Sequence, residues 1–120
     1  WSETRQSLRI PVVNNNLFMV QVKIPQWYIT LNAQAIDISY GGIQICFPPD
    51  DPPDLPIGAQ ILIRLSYKES VAELKAEVRH HLENRYGLLF LETTYEKGVN
   101  PPKSLQIIVN LLQKEWIFKK

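Results

Sequence analysis

The chain is short of several things, and each shortage removes a class of protein. It has one cysteine, Cys46, so no disulfide can form within it. No basic residue stands near Cys46 to activate the thiol, and Ile45-Cys46-Phe47 is expected as a buried, reduced strand segment. No apolar run approaches the roughly 18 residues of a membrane-spanning helix. No signal-peptide pattern opens the chain, and the expected compartment is the cytoplasm. An excess of one charge is missing too: 13 Lys and Arg stand against 12 Asp and Glu, a net +1. Such a balance gives no global attraction to DNA or to a membrane surface, so any basic site must be local. There is no GxSxG elbow, no P-loop and no spaced His/Asp/Ser set, which argues against an enzyme. His80 and His81 are adjacent, so on a strand they point to opposite faces and cannot share one ion. No metal and no cofactor are expected.

What is present suits one globular domain. The 120 residues are 45% hydrophobic, enough to bury a core without staples. The first residue is Trp1 rather than Met, and the chain is expected to be the C-terminal part of a longer protein. Nine prolines and five glycines are more punctuation than a helical bundle of this size would hold.

Between these breaks lie six β-like runs. Leu17 to Ile24 alternates with Val20, Val22 and Ile24 on one face, and Pro25 stops it. Trp27 to Ile36 places Ile29, Leu31, Ala33 and Ala35 on one side. Gly42 to Phe47 is the third run. Ala59 to Ser66 has Ile61, Ile63 and Leu65 as its core face. Val71 to His80 alternates through Leu74, Ala76, Val78 and His80, although its charges also suit a helix. Arg85 to Leu91 is the sixth. The proline-rich acidic stretch from Pro48 to Pro56 reads as a solvated loop. Six short strands with turn signals indicate a β-barrel or sandwich. After Pro102 the period changes: Leu105, Ile108, Val109, Leu111, Leu112, Trp116 and Ile117 fit an amphipathic helix over about 103–118.

Two constellations remain. Arg5 and Arg9 stand four apart in a polar, turn-like opening, 1–16, expected to hold neither helix nor strand. Asp37-Ile-Ser-Tyr-Gly-Gly42 lies between the second and third runs and reads as a tight strand connection. Asp37 offers a carboxylate, Ser39 a hydroxyl, and the glycines allow close backbone approach or positive φ.

Arg5-Gln-Ser-Leu-Arg9 followed by Asp37-Ile-Ser-Tyr-Gly-Gly42 resembles the RxxxR and (D/N)xSxxG pair of PilZ domains, bacterial receptors for cyclic di-GMP. Gly87 and Phe90 in Tyr-Gly-Leu-Leu-Phe resemble the late Gly-x-x-Phe strand of that family. The likeness covers essentially the whole chain. It implies a mainly β fold, a six-stranded antiparallel β-barrel over 17–120 with a C-terminal α-helix, preceded by a flexible leader over 1–16. It also implies ligand contacts from Arg5, Arg9, Asp37, Ser39 and Gly42, with Thr4 and Gly41 as further candidates. Arg5 and Arg9 would fold over the dinucleotide while the Asp37–Gly42 segment holds one guanine. Thr4, in place of a third arginine before the motif, implies a single bound molecule. The downstream partner would be another protein or an N-terminal domain of the same chain, with motility, pili, exopolysaccharide or transcription as the output.

The chemistry of these residue types agrees. Arginine's planar fork matches phosphate oxygens or the O6/N7 edge of guanine. A carboxylate accepts from the guanine N1–H and amino group, which arginine cannot do.

Other classes compete. One is the sensory half of a cyclic di-GMP-dependent DNA-binding regulator, with Lys114, Lys119 and Lys120 touching phosphates. Another is a small nucleic-acid-binding barrel that stacks bases on Trp27, Tyr28 and Tyr40. A third is an interaction module built on the Trp116-Ile117-Phe118 end of the helix.

Overall fold

A computed structural model describes residues 9–12, 17–50, 52–91, 94–95, 98–99 and 102–118. Its strands are β1 (Ile10–Pro11), β2 (Phe18–Ile24), β3 (Ile29–Ile38), β4 (Gly42–Cys46), β5 (Gln60–Tyr67), β6 (Ser70–Leu82), β7 (Arg85–Phe90), β8 (Thr94–Tyr95) and β9 (Gly98–Val99). The helix α1 (Lys103–Phe118) follows.

The six long strands run in the order β3-β2-β5-β6-β7-β4, and β4 pairs back onto β3. Every pairing is antiparallel. The sheet therefore closes into a barrel with no free edge among these six.

Alternation explains the core. Phe18, Val20, Val22 and Ile24 of β2 face in, as do Ile61, Ile63, Leu65 and Tyr67 of β5 and Ala72, Leu74, Ala76 and Val78 of β6. β-Branched side chains suit this half-buried pleat. The β5–β6 and β6–β7 connections are two-residue turns whose first residues, Lys68 and Glu83, take φ values of 55° and 56°. Leu105, Ile108, Val109 and Leu112 give α1 a buried stripe at i, i+3, i+4 and i+7, packed on β6 and β1. At its far end Glu115 accepts from Tyr67 and pairs with Lys68. The hydrogen bond from Lys68 to Glu115 holds the ammonium pKa above its ordinary value.

Several expectations change. The opening, expected without strand, contributes β1, which pairs Ile10 with Ile38 and Pro11 with Asp37. Ile10 and Val12 are buried there. β3 starts at Ile29 rather than Trp27, because a 3-10 turn over Pro25–Trp27 comes first. Cys46 is half-buried rather than buried, since Ile45 and Phe47 take the inward positions. The proline stretch is not wholly solvated. Leu55 is buried, its N–H donates to the Tyr86 hydroxyl at 2.9 Å, and that hydroxyl donates to Pro53 O at 2.5 Å.

Tyr28 and Tyr40 lie beyond opposite ends of ten-residue β3, itself about 30 Å long at ~3.3 Å per residue. They form no joint stacking platform with Trp27. Trp116 is half-buried against the core, while the side chains of Ile117, Phe118, Lys119 and Lys120 lie outside the described residues.

Candidate functional site

The site is built by one irregularity in β3. Strict alternation after Leu31, Ala33 and Ala35 would turn Asp37 into the core. A bulge between Ala35 and Asp37 shifts the register, so that fully buried Ile38 points inward. The Asp37 side chain emerges on the outer surface, 20% exposed. Extra residues of this kind re-aim side chains in sheets, and here one carboxylate is moved from an impossible environment to a usable one.

β1 supplies the partner. Because Ile10 is pinned inward opposite Ile38, Arg9 stands at the mouth of the same strand pair. Arg9 Nη1 donates to Asp37 Oδ1 at 2.6 Å. Arg9 remains 41% exposed, so the pair is solvent-screened and worth about 0–1 kcal/mol. A ligand offering anionic oxygens to Arg9 and N–H donors to Asp37 would displace a weak contact.

Ser39, Tyr40 and Gly41 form the turn itself, while Asp37 and Ile38 belong to β3 and Gly42 to β4. Ser39 is 3% exposed. Its N–H donates to Gly42 O at 2.9 Å, and its Oγ accepts from the Gly41 N–H at 3.3 Å. The hydroxyl also donates to Gly42 O at 3.4 Å. Ser39 is thus the staple of the turn.

Positive φ, one of the two roles open to these glycines, does not occur at Gly41 or Gly42; among described glycines it occurs at Gly58. The demand at Gly42 is close approach instead. A Cβ there would lie 2.4 Å from the Leu88 carbonyl oxygen of β7, and 3.7 Å from Arg9 Nη2. The barrel wall itself requires this glycine, which is buried with the Arg9 guanidinium close over it. Around Gly41 nothing would meet a Cβ within 4 Å, and its carbonyl accepts from Phe90 N–H at 2.9 Å. Tyr40 reaches from the turn to α1, donating to Asn110 Oδ1 at 2.5 Å.

Of the residues expected at the site, Arg9, Asp37, Ser39, Gly41 and Gly42 come together in this corner. Thr4 and Arg5 lie outside the described residues. Sequence reasoning missed the Tyr40–Asn110 link, because no local pattern ties residues 70 positions apart. Sequence alternation ran through Leu74, Ala76, Val78 and His80 without a break. A second bulge, between Val78 and His80, sends His80 outward instead.

A family model described as PilZ domain matches residues 3–98. The chain belongs to the PilZ domain family. Among solved structures it is similar to the PilZ domain with c-di-GMP of YcgR from Escherichia coli, at 21% identity, with 92% of each chain covered and a TM-score of 0.70. Crystalline YcgR in complex with c-di-GMP matches at 21% identity and a TM-score of 0.67, over 96% of this chain and 48% of that one. The chain therefore spans about half the length of YcgR. The Legionella protein Lpg0364 matches at 17% identity and a TM-score of 0.54, with 94% of this chain and 99% of that one covered. These structural likenesses establish the PilZ barrel with its C-terminal helix. Among proteins with curated descriptions, none matches the chain.

Proposed function

We propose that this PilZ domain is a non-enzymatic receptor for cyclic di-GMP, working in the cytoplasm. The observation that supports the reading best is the Arg9–Asp37 pair, with the Arg9 guanidinium beside the side-chain-free Gly42. The two groups are complementary to the two chemistries of the ligand. Arg9, with Arg5, meets phosphate oxygens or the guanine O6/N7 edge. Asp37 accepts from the guanine N1–H and amino group. Ser39 holds the turn in shape, Gly41 leaves open space beside its backbone, and Gly42 admits the Arg9 guanidinium, with Thr4 beside the arginine motif. One dinucleotide is bound. The YcgR PilZ domain that this chain resembles is known with c-di-GMP.

On binding, the segment with Arg5 and Arg9 becomes ordered over the ligand, and the newly presented surface is read by another domain or protein. Differential contacts in the closed state supply the switching energy. Calorimetric titration tests the reading: cyclic di-GMP is expected to bind far more tightly than GMP. Equal affinity for the two would sink it. Amide exchange over 1–9 is expected to slow with ligand, and unchanged exchange would remove the ordering step.

A further inference from the structure

The second bulge and the first have a joint geometric result. Asp37 of β3 pairs with Gln44 of β4, Gln44 with Gly87 of β7, and Gly87 with His80 of β6. Paired residues in a sheet share a face, so these four stand in one row across four adjacent strands. Their inward-facing neighbours are Ile43, Ile45, Tyr86, Leu88 and Val78, all buried, which sets the row on the outer surface.

Both ends of the row owe their direction to a bulge. Without the shift at Ala35/Asp37 the carboxylate would face the core, and without the shift at Val78/His80 the imidazole would do the same. The row spans three inter-strand spacings, about 14 Å at ~4.8 Å each. At its middle Gly87 has no side chain, and the His80 ring leans into the space: a Cβ on Gly87 would lie 3.1 Å from His80 Cδ2. Gln44 is half-buried and His80 exposed. Neither side chain makes a hydrogen bond to another described residue.

We propose that Gln44, Gly87 and His80 form the second half of the ligand surface, taking the purine of the cyclic dinucleotide that lies away from Asp37. This rests on the receptor reading given above. Arg9 and Asp37 can engage one base and a phosphate, and a two-purine ligand then projects its other half along the wall. The row meets it with an amide that both donates and accepts at Gln44 and with the aromatic face of His80, whose ring takes the space left by the missing side chain of Gly87. Stacking against such a face and hydrogen bonding to such an amide are sequence-tolerant contacts, so the row adds affinity while Asp37 keeps the preference for guanine.

The test is a titration of the isotopically labelled chain with cyclic di-GMP, followed by NMR. The Gln44 side-chain amide and His80 imidazole signals are expected to shift together with those of residues 37–42. Shifts confined to Arg9 and residues 37–42 would overturn the proposal while leaving the receptor reading intact. No shift anywhere would overturn the receptor reading and this inference with it. In parallel, the Gln44→Ala/His80→Ala double variant, both changes at the outer surface, is expected to lose about tenfold in affinity with its thermal unfolding unchanged. Wild-type affinity in that variant would also count against the row.

Discussion

The β4–β7 strand pair has a different connection at each end, and the two have been put to opposite uses. At one end the Ser39–Gly41 turn sits beside an exposed Arg9–Asp37 pair that contributes little to stability. At the other end, the proline-rich stretch is drawn onto the barrel. Tyr86 is 2% exposed and its hydroxyl bridges Pro53 O and Leu55 N–H. His81 stacks on Tyr86 with ring centroids 4.0 Å apart, and its ring nitrogens face the carbonyls of Leu55 and Glu83 at 3.1 and 2.9 Å. Asn84 Nδ2 donates to Phe47 O at 2.5 Å. Composition alone would have ranked both connections as solvent-facing loops. What separates them is whether an aromatic hydroxyl lies within reach to satisfy buried backbone groups. Polar groups fastened internally stabilise the fold; those left facing water remain open to a ligand.

The largest expected effect is at the fastened end. Tyr86→Ala removes a buried ring and leaves Leu55 N–H and Pro53 O without their partner, a loss of about 3–5 kcal/mol in denaturant unfolding. If cyclic di-GMP affinity fell as much as stability in a still-folded sample, the two ends would not be independent. Next comes Gly42→Ala, which forces a methyl against the Leu88 carbonyl and should cost about 1–3 kcal/mol by overpacking. This change belongs to both categories, since it strains the β4–β7 pair and brings a methyl close under the Arg9 guanidinium. Thermal melts together with calorimetry would show both losses.

Arg9→Ala and Asp37→Ala should do the reverse of Tyr86→Ala. Each is expected to weaken cyclic di-GMP binding by about 1–3 kcal/mol through lost charged or bidentate hydrogen bonds, with stability changed by no more than about 1 kcal/mol. A large drop in melting temperature without loss of affinity would break the comparison.

The smallest effect is a pH dependence. Burial raises the Tyr86 hydroxyl pKa above its ordinary value of 10.0. The folded state therefore holds this proton more tightly than the unfolded chain. The resulting stability is fully present below pH 10.0 and is lost as pH rises through the folded-state value. Melting temperatures followed upward from pH 8 should fall more steeply in the wild type than in Tyr86→Phe, once the Lys68–Glu115 pair, which titrates in the same direction, is removed from both by Glu115→Gln.

Much of the fold could be read along the chain. The span of α1 follows from Pro102 and the Leu105-Ile108-Val109-Leu112 spacing, and all six long strands were legible with errors of two residues or fewer at each end. The RxxxR and DxSxxG residues identified the family's pattern. What escaped was every case where the chain breaks its own period. A bulge leaves no mark in a sequence, because the residue that becomes extra is decided by which partner strand it must pair with. Thus Asp37 was assigned to a turn, and His80 to an alternation with Val78 that the second bulge breaks.

The order of hydrophobic and polar residues by itself determined that this chain closes β-strands around one core and ends in a packed helix, since burial of alternating apolar faces is a local demand repeated along the chain. Only the tertiary structure decided that Asp37, Gln44, Gly87 and His80 share one outer row, that Gly42 is required by β7, and that Tyr86 fastens the proline loop. Those facts depend on register between strands distant in sequence, and register is set when all six strands satisfy their backbone hydrogen bonds at once.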